Sequence, residues 1–73
     1  MSKAEKAKKM MRAMIAAASL DLIIQAYKES EKQEIMVGAV IREVIMDELE
    51  KRYPEKFDEW LWDDNNDFAI FAA

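Results

Sequence analysis

The chain has 73 residues, a net charge of −4, and neither cysteine nor histidine, which excludes disulfide scaffolds, zinc fingers, thiol catalysis and imidazole acid–base chemistry. A chain this short buries only about 60% of the surface that its unfolded form exposes. We therefore expect a single thin-cored domain over residues 1–73, reinforced by helix packing, oligomerisation or a partner.

Composition predicts an all-α protein, a compact bundle of three or four helices. The chain has one Gly and one Pro and is rich in Ala, Met, Leu, Glu and Lys, which lose little rotamer freedom in a helix. No apolar run approaches the roughly 18 residues of a membrane span, and the basic start is a poor match to a signal peptide. We expect a soluble, cytoplasmic protein.

The first two predicted helices meet at a bend. The first begins near Ala4, although residues 1–8 could instead form a frayed basic arm. Ser19 can cap the second helix, and Asp21 then lies in the first turn, where the helix dipole favours negative charge. One apolar stripe follows at helical spacing. It consists of Leu20, Ile23, Ile24 and Tyr27.

A long central helix is predicted over about 31–52. Ser30 and Gln33 match a capping box ahead of an apolar run, in which each side chain bonds the other residue's free backbone N–H. Pro54 ends the helix, because the residue before proline is driven out of helical geometry.

Pro54 also suits the first position of a short aromatic helix over about 54–62. We expect Phe57, Trp60 and Leu61 to share its inward face. Trp60 and Trp62 cannot lie on one helical face, so we expect one of them in the core and the other near solvent. The remaining residues, 63–73, predict an acidic turn and an apolar tail that docks on the body.

The central helix carries two apolar stripes on a helical wheel. One stripe consists of Val37, Val40, Ile41 and Val44. The other, nearly opposite, consists of Ile35, Ala39, Ile45, Met46, Leu49 and Tyr53. A helix that is apolar on two sides must be covered on two sides.

To cover the second side of this helix, we predict that the chain self-associates through the first stripe, as an antiparallel two-fold homodimer. Gly38 supports this interpretation, since a glycine inside a helix often marks the close approach of another backbone. The alternative is that the N-terminal segment wraps both faces within a monomer.

Charge is unevenly distributed along the chain. Residues 43–73 hold ten acidic and three basic side chains, whereas the N-terminus is basic. A small dimeric nucleic-acid-binding regulator is therefore an alternative function, in which the N-terminal cations neutralise phosphates. The simpler interpretation is a solvated helix end. The residues concerned are Lys3, Lys6, Lys8, Lys9 and Arg12.

No motif predicts a metal, a cofactor or an active site. Asp63, Asn65 and Asp67 have the spacing that opens a calcium loop, but its sixth position is Phe68 where glycine is needed. We interpret this segment as a solvated acidic turn. The carboxylates of the central helix are interpreted as its exposed sides, so we expect no enzymatic activity.

The methionines have two possible roles. They can fill irregular gaps in a core, which is the interpretation we favour, or they can form an adaptable binding surface. The residues concerned are Met10, Met11, Met14, Met36 and Met46.

The segment over 41–62 resembles one that recurs in small uncharacterised proteins of bacteriophages and other mobile elements. The residues that carry the resemblance are Ile41, Arg42, the run Met46–Glu55, Phe57, Trp60 and Leu61. It covers about 22 of the 73 residues. The resemblance implies a phage or mobile-element origin and brings no catalytic or binding residue with it.

These observations together predict a non-catalytic protein–protein interaction module that binds a host or viral protein. The expected surface is the acidic and aromatic C-terminal part of the chain, because exposed Trp is enriched among residues that dominate binding energy. Its residues are Trp62, Asp63, Asp64, Phe68 and Ile70.

Overall fold

Five helices lie within residues 3–72, the part of the chain that the computed structural model describes, and no strand occurs there. They are α1 (Lys3–Ala17), α2 (Leu20–Ser30), α3 (Ile35–Arg52), α4 (Pro54–Trp62) and α5 (Ala69–Ala72). The all-α prediction is confirmed, with four long helices and a one-turn fifth. Residues 1, 2 and 73, at the ends of the predicted basic arm and apolar tail, lie outside the described residues.

The helices pack around α3. Lys8 pairs with Glu43 at 2.9 Å and Arg12 with Asp47 at 2.8 Å, so α1 and α3 contact each other in the same order along both helices and run parallel. The intervening α2 returns in the opposite direction against α3, and α4 folds back from the C-terminal end of α3.

The two predicted joints are confirmed. Ser19 precedes α2 in extended geometry, and its hydroxyl oxygen accepts a hydrogen bond from the Leu22 N–H at 3.3 Å. Pro54 is the first residue of α4, and α3 ends two residues earlier at Arg52.

The predicted start of α3 is wrong by four residues. Ser30 is the last residue of α2, where it is buried and its hydroxyl donates to the Tyr27 carbonyl oxygen. It therefore cannot cap α3, which begins at Ile35 after a connection in which the chain reverses direction. Glu34 occupies the cap position without a side-chain hydrogen bond.

Gly38 lies where α3 crosses the end of α2. An ideal Cβ at this position would stand 2.5 Å from the Ser30 carbonyl oxygen. The close approach predicted from this glycine is real, but the neighbouring backbone belongs to α2 of the same chain. Gly38 therefore gives no support to a dimer.

The core combines aliphatic residues of α1, α2 and α3 with an aromatic cluster. Trp60 is 1% exposed and stacks on Phe57 with ring centroids 5.9 Å apart. Tyr27 and Phe68 contact the same indole, and Phe71 is buried against it. The apolar tail is thus docked. The indole N–H of Trp60 is buried without a hydrogen-bond partner.

Arg52, in the last turn of α3, caps α1. Its Nη2 donates to the carbonyl oxygens of Ile15, Ala16 and Ala18 at 3.2, 3.0 and 2.9 Å. Its Nε donates to a Glu48 carboxylate oxygen at 2.6 Å. The last carbonyls of a helix lack partners within it, so a charged donor on α3 satisfies the C-terminal end of α1.

Candidate interaction surfaces

The outer face of α4 presents an exposed tryptophan among carboxylates. The helix turns Phe57 and Trp60 into the core, which leaves Trp62 82% exposed. This bears out the expectation that only one tryptophan lies in the core. Leu61, predicted to point inward, is 49% exposed, because its position lies at the edge of the buried face.

Three acidic residues share this outer face with Trp62. They precede it by three, four and seven positions, spacings that place side chains on one side of a helix. All three are exposed. They are Glu59, Asp58 and Glu55. We call Trp62 and these three residues the α4 outer face.

The acidic turn that follows is built by its own carboxylates. Asp63 accepts a hydrogen bond from the Asp67 N–H at 2.8 Å, and Asp67 accepts one from the Ala69 N–H at 2.9 Å. Asn66 has a positive φ of 47° and donates to the Trp60 carbonyl oxygen at 3.1 Å. These groups shape the connection between α4 and α5. Asp64 is exposed.

The predicted partner-binding set is therefore divided. Trp62 and Asp64 are open to solvent, whereas Asp63, Phe68 and Ile70 are half-buried. Phe68 packs on the Tyr27 ring at 5.1 Å between centroids, so much of its area already serves the core.

The five predicted N-terminal cations are divided in a similar way. Lys8 and Arg12 form the two ion pairs with α3, while Lys3, Lys6 and Lys9 are exposed on α1. The structure thus leaves three of the five on an open surface.

The predicted self-association stripe changes character along α3. Val44 is 1% exposed and Ile41 is half-buried, so the chain itself covers this end of the stripe. Val37 and Val40 are exposed, at 47% and 39%. The opposite stripe divides likewise, since Ile45 and Leu49 are fully buried, whereas Ile35 is exposed.

An apolar groove lies between α1 and the exposed part of α3. Its volume is about 400 Å³, and Lys8 and Glu5 stand among its lining residues. The apolar lining consists of Ala7, Met11, Met36, Val37 and Val40. We call this the α1–α3 groove.

Three of the five methionines do not fill the core, contrary to the favoured interpretation. Met10, Met14 and Met36 are exposed, whereas Met11 and Met46 are half-buried. Sequence reasoning missed the groove for this reason. The signal that could have found it was the first turn of α3, where Ile35, Met36 and Val37 are apolar in succession and cannot all face one core.

A second, wider groove lies between α2 and the tail. It is lined by side chains of mixed polarity, among them Tyr27, Lys28 and Phe68, with a volume of about 680 Å³.

Among the described residues, no group of three or more His, Cys, Asp or Glu side chains could hold a metal ion. None of the helices described within residues 3–72 combines the length and the hydropathy of a membrane-spanning segment.

Comparison with known proteins adds no relative. No protein-family model matches the chain, and neither a curated protein nor a solved structure shows significant similarity to it.

Proposed function

We propose that the protein is a non-catalytic interaction module of phage or mobile-element type, which binds a host or viral protein through the α4 outer face. The observation that carries this proposal is the position of Trp62, a large aromatic side chain held on a helix and 82% exposed. Tryptophan is enriched among the few residues that supply most of the binding energy of interfaces.

The surroundings of Trp62 define the chemistry of the partner. Glu55, Asp58 and Glu59 flank the indole on the same helix face, and Asp64 follows it. Carboxylates around an aromatic ring attract a basic surface, and an arginine or lysine over the indole adds a cation–π interaction. The partner is therefore a protein with a basic, arginine- or lysine-bearing surface.

The experiment compares capture of host proteins by the wild-type chain, by Trp62→Ala and by the control Leu22→Ala. Leu22 is also an exposed large apolar residue, on α2. The wild-type chain and the control should both capture a specific basic protein that Trp62→Ala does not capture. Circular dichroism should show the same helicity for Trp62→Ala as for the wild type. Identical capture by all three chains would remove the α4 outer face as the binding surface.

The second candidate function is the nucleic-acid-binding regulator. It is favoured by the exposure of Lys3, Lys6 and Lys9 on one helix, and disfavoured by the ion pairs that occupy Lys8 and Arg12. A mobility-shift titration at two salt concentrations tests it, because binding to phosphates must weaken steeply with salt.

The proposed module is also a homodimer. Val37 and Val40, two of the four residues predicted to mediate self-association, are exposed on α3 and support this assignment.

A further inference from the structure

The α1–α3 groove is an apolar recess, and exposed apolar side chains protrude at it and beside it. Met36 lines the groove and is itself 77% exposed. On α1, Met10 and Met14 are exposed one turn apart, and each lies three residues from a groove-lining side chain, Ala7 or Met11. A single patch therefore provides both a recess and side chains able to enter one.

The size of this patch matches a protein interface. Full burial of five side chains such as Met10, Met14, Met36, Val37 and Val40 removes on the order of 400 Å² of apolar surface from water. A specific interface buries about 800 Å² on each partner, of which somewhat more than half is apolar. The patch thus supplies most of the apolar area that a stable dimer needs.

The shape of the patch favours a second copy as the occupant. An interface between two copies of one chain must be complementary to itself, and this patch holds both an apolar recess and exposed methionines that can fill one. A two-fold axis that lays α1 of one copy against α3 of the other lets the methionines of each copy enter the recess of the other.

We propose that the α1–α3 groove is the dimer interface of this protein, occupied by the methionine-bearing face of a second copy, with α1 of each chain against α3 of the other. The assignment rests on the homodimer proposed above and replaces its predicted contacts. Val37 and Val40 remain in the interface, Met10, Met14 and Met36 join it, and the buried Val44 leaves it.

Solution mass tests the interface directly. The wild-type chain should have twice the 8.5 kDa mass of one chain in light scattering at tens of micromolar. Met36→Lys should raise the dissociation constant at least about tenfold, because it places an unpaired charge in an apolar contact. Leu22→Lys is the matched control, since Leu22 is exposed outside the groove, and should keep the dimer mass.

Cross-linking provides a second readout. Because the chain has no cysteine, Met36→Cys and Leu22→Cys each introduce a single thiol. A short thiol-specific cross-linker should give a covalent dimer with the first variant and none with the second. This readout does not depend on how far a charged substitution disturbs the fold.

Three results would overturn the groove as an interface. They are a monomer mass for the wild-type chain, cross-linking of the Leu22 variant instead of the Met36 variant, and a dimer that survives Met36→Lys but dissociates in high salt. The last result would assign association to the charged ends. Capture of a partner by Trp62 is measured separately, so either proposal can fail without the other.

Discussion

The N-terminal half of α3 holds more apolar side chains than the C-terminal half, and yet it is the more exposed of the two. Val44, Ile45 and Leu49, in the C-terminal half, are covered on both sides by the chain itself. Ile35, Met36 and the two valines that follow in the N-terminal half are exposed. Burial of α3 therefore changes along the helix axis as well as around it.

Helix lengths explain the difference. At about 1.5 Å per residue, α3 is about 27 Å long and α4 about 13 Å. Since α4 begins beside the C-terminal end of α3 and folds back, it covers only half of that helix. The half that α4 does not reach is the half that we assign to a second copy.

The largest test of this comparison pairs Leu49→Ala with Ile35→Ala. Leu49 is fully buried, so its truncation should lower the free energy of unfolding by about 2–5 kcal/mol. Ile35 is 84% exposed and lies outside the groove lining, so its truncation should change that free energy by no more than about 0.5 kcal/mol. Urea unfolding followed by circular dichroism measures both, and equal losses would contradict the division of α3.

The next test removes the Arg52 cap. Arg52→Met leaves three carbonyl oxygens at the C-terminal end of α1 and just beyond it without their charged donor. It also leaves the Glu48 carboxylate, whose side chain is 14% exposed, without its cation. We expect a loss of about 2–3 kcal/mol in the free energy of unfolding. Lys51→Met is the control, because Lys51 is exposed beside it.

Arg52→Lys should recover only part of this loss, because an ammonium lacks the planar fork that serves several acceptors at once. If Arg52→Met and Lys51→Met unfold at the same urea concentration, the cap contributes nothing to stability.

Local signals predicted the joints of this fold. Ser19 and Pro54 act through the backbone of their own neighbours, so the sequence alone was enough to place them. Ser30 carried an equally good local pattern, but packing against α3 gave its hydroxyl to the preceding turn. Whether a serine with this pattern caps the following helix therefore depends on which of the two neighbouring helices buries it.

The candidate surfaces were harder to predict because they depend on tertiary cover. The outward position of Trp62 followed from helical geometry. The half-burial of Phe68 and Ile70 did not, since it depends on how the tail docks. The predicted helix lengths already implied that α4 was too short to cover the whole of α3. The helical wheel did not show this, because a wheel projection discards the position of each residue along the helix axis.

The smallest test concerns Gly38, the one residue in the exposed half of α3 that is buried. In an open helix, Gly→Ala stabilises by about 1 kcal/mol through propensity. Here the added methyl would stand 2.5 Å from the Ser30 carbonyl oxygen, so Gly38→Ala should instead destabilise by about 1–2 kcal/mol as α2 and α3 are forced apart. Ala39→Gly, at the exposed neighbouring position, isolates the propensity effect and should cost about 1 kcal/mol. If Gly38→Ala raised the free energy of unfolding, the end of α2 would be able to move away from the added methyl at little cost. The contact between α2 and the N-terminal half of α3 would then not be a rigid one.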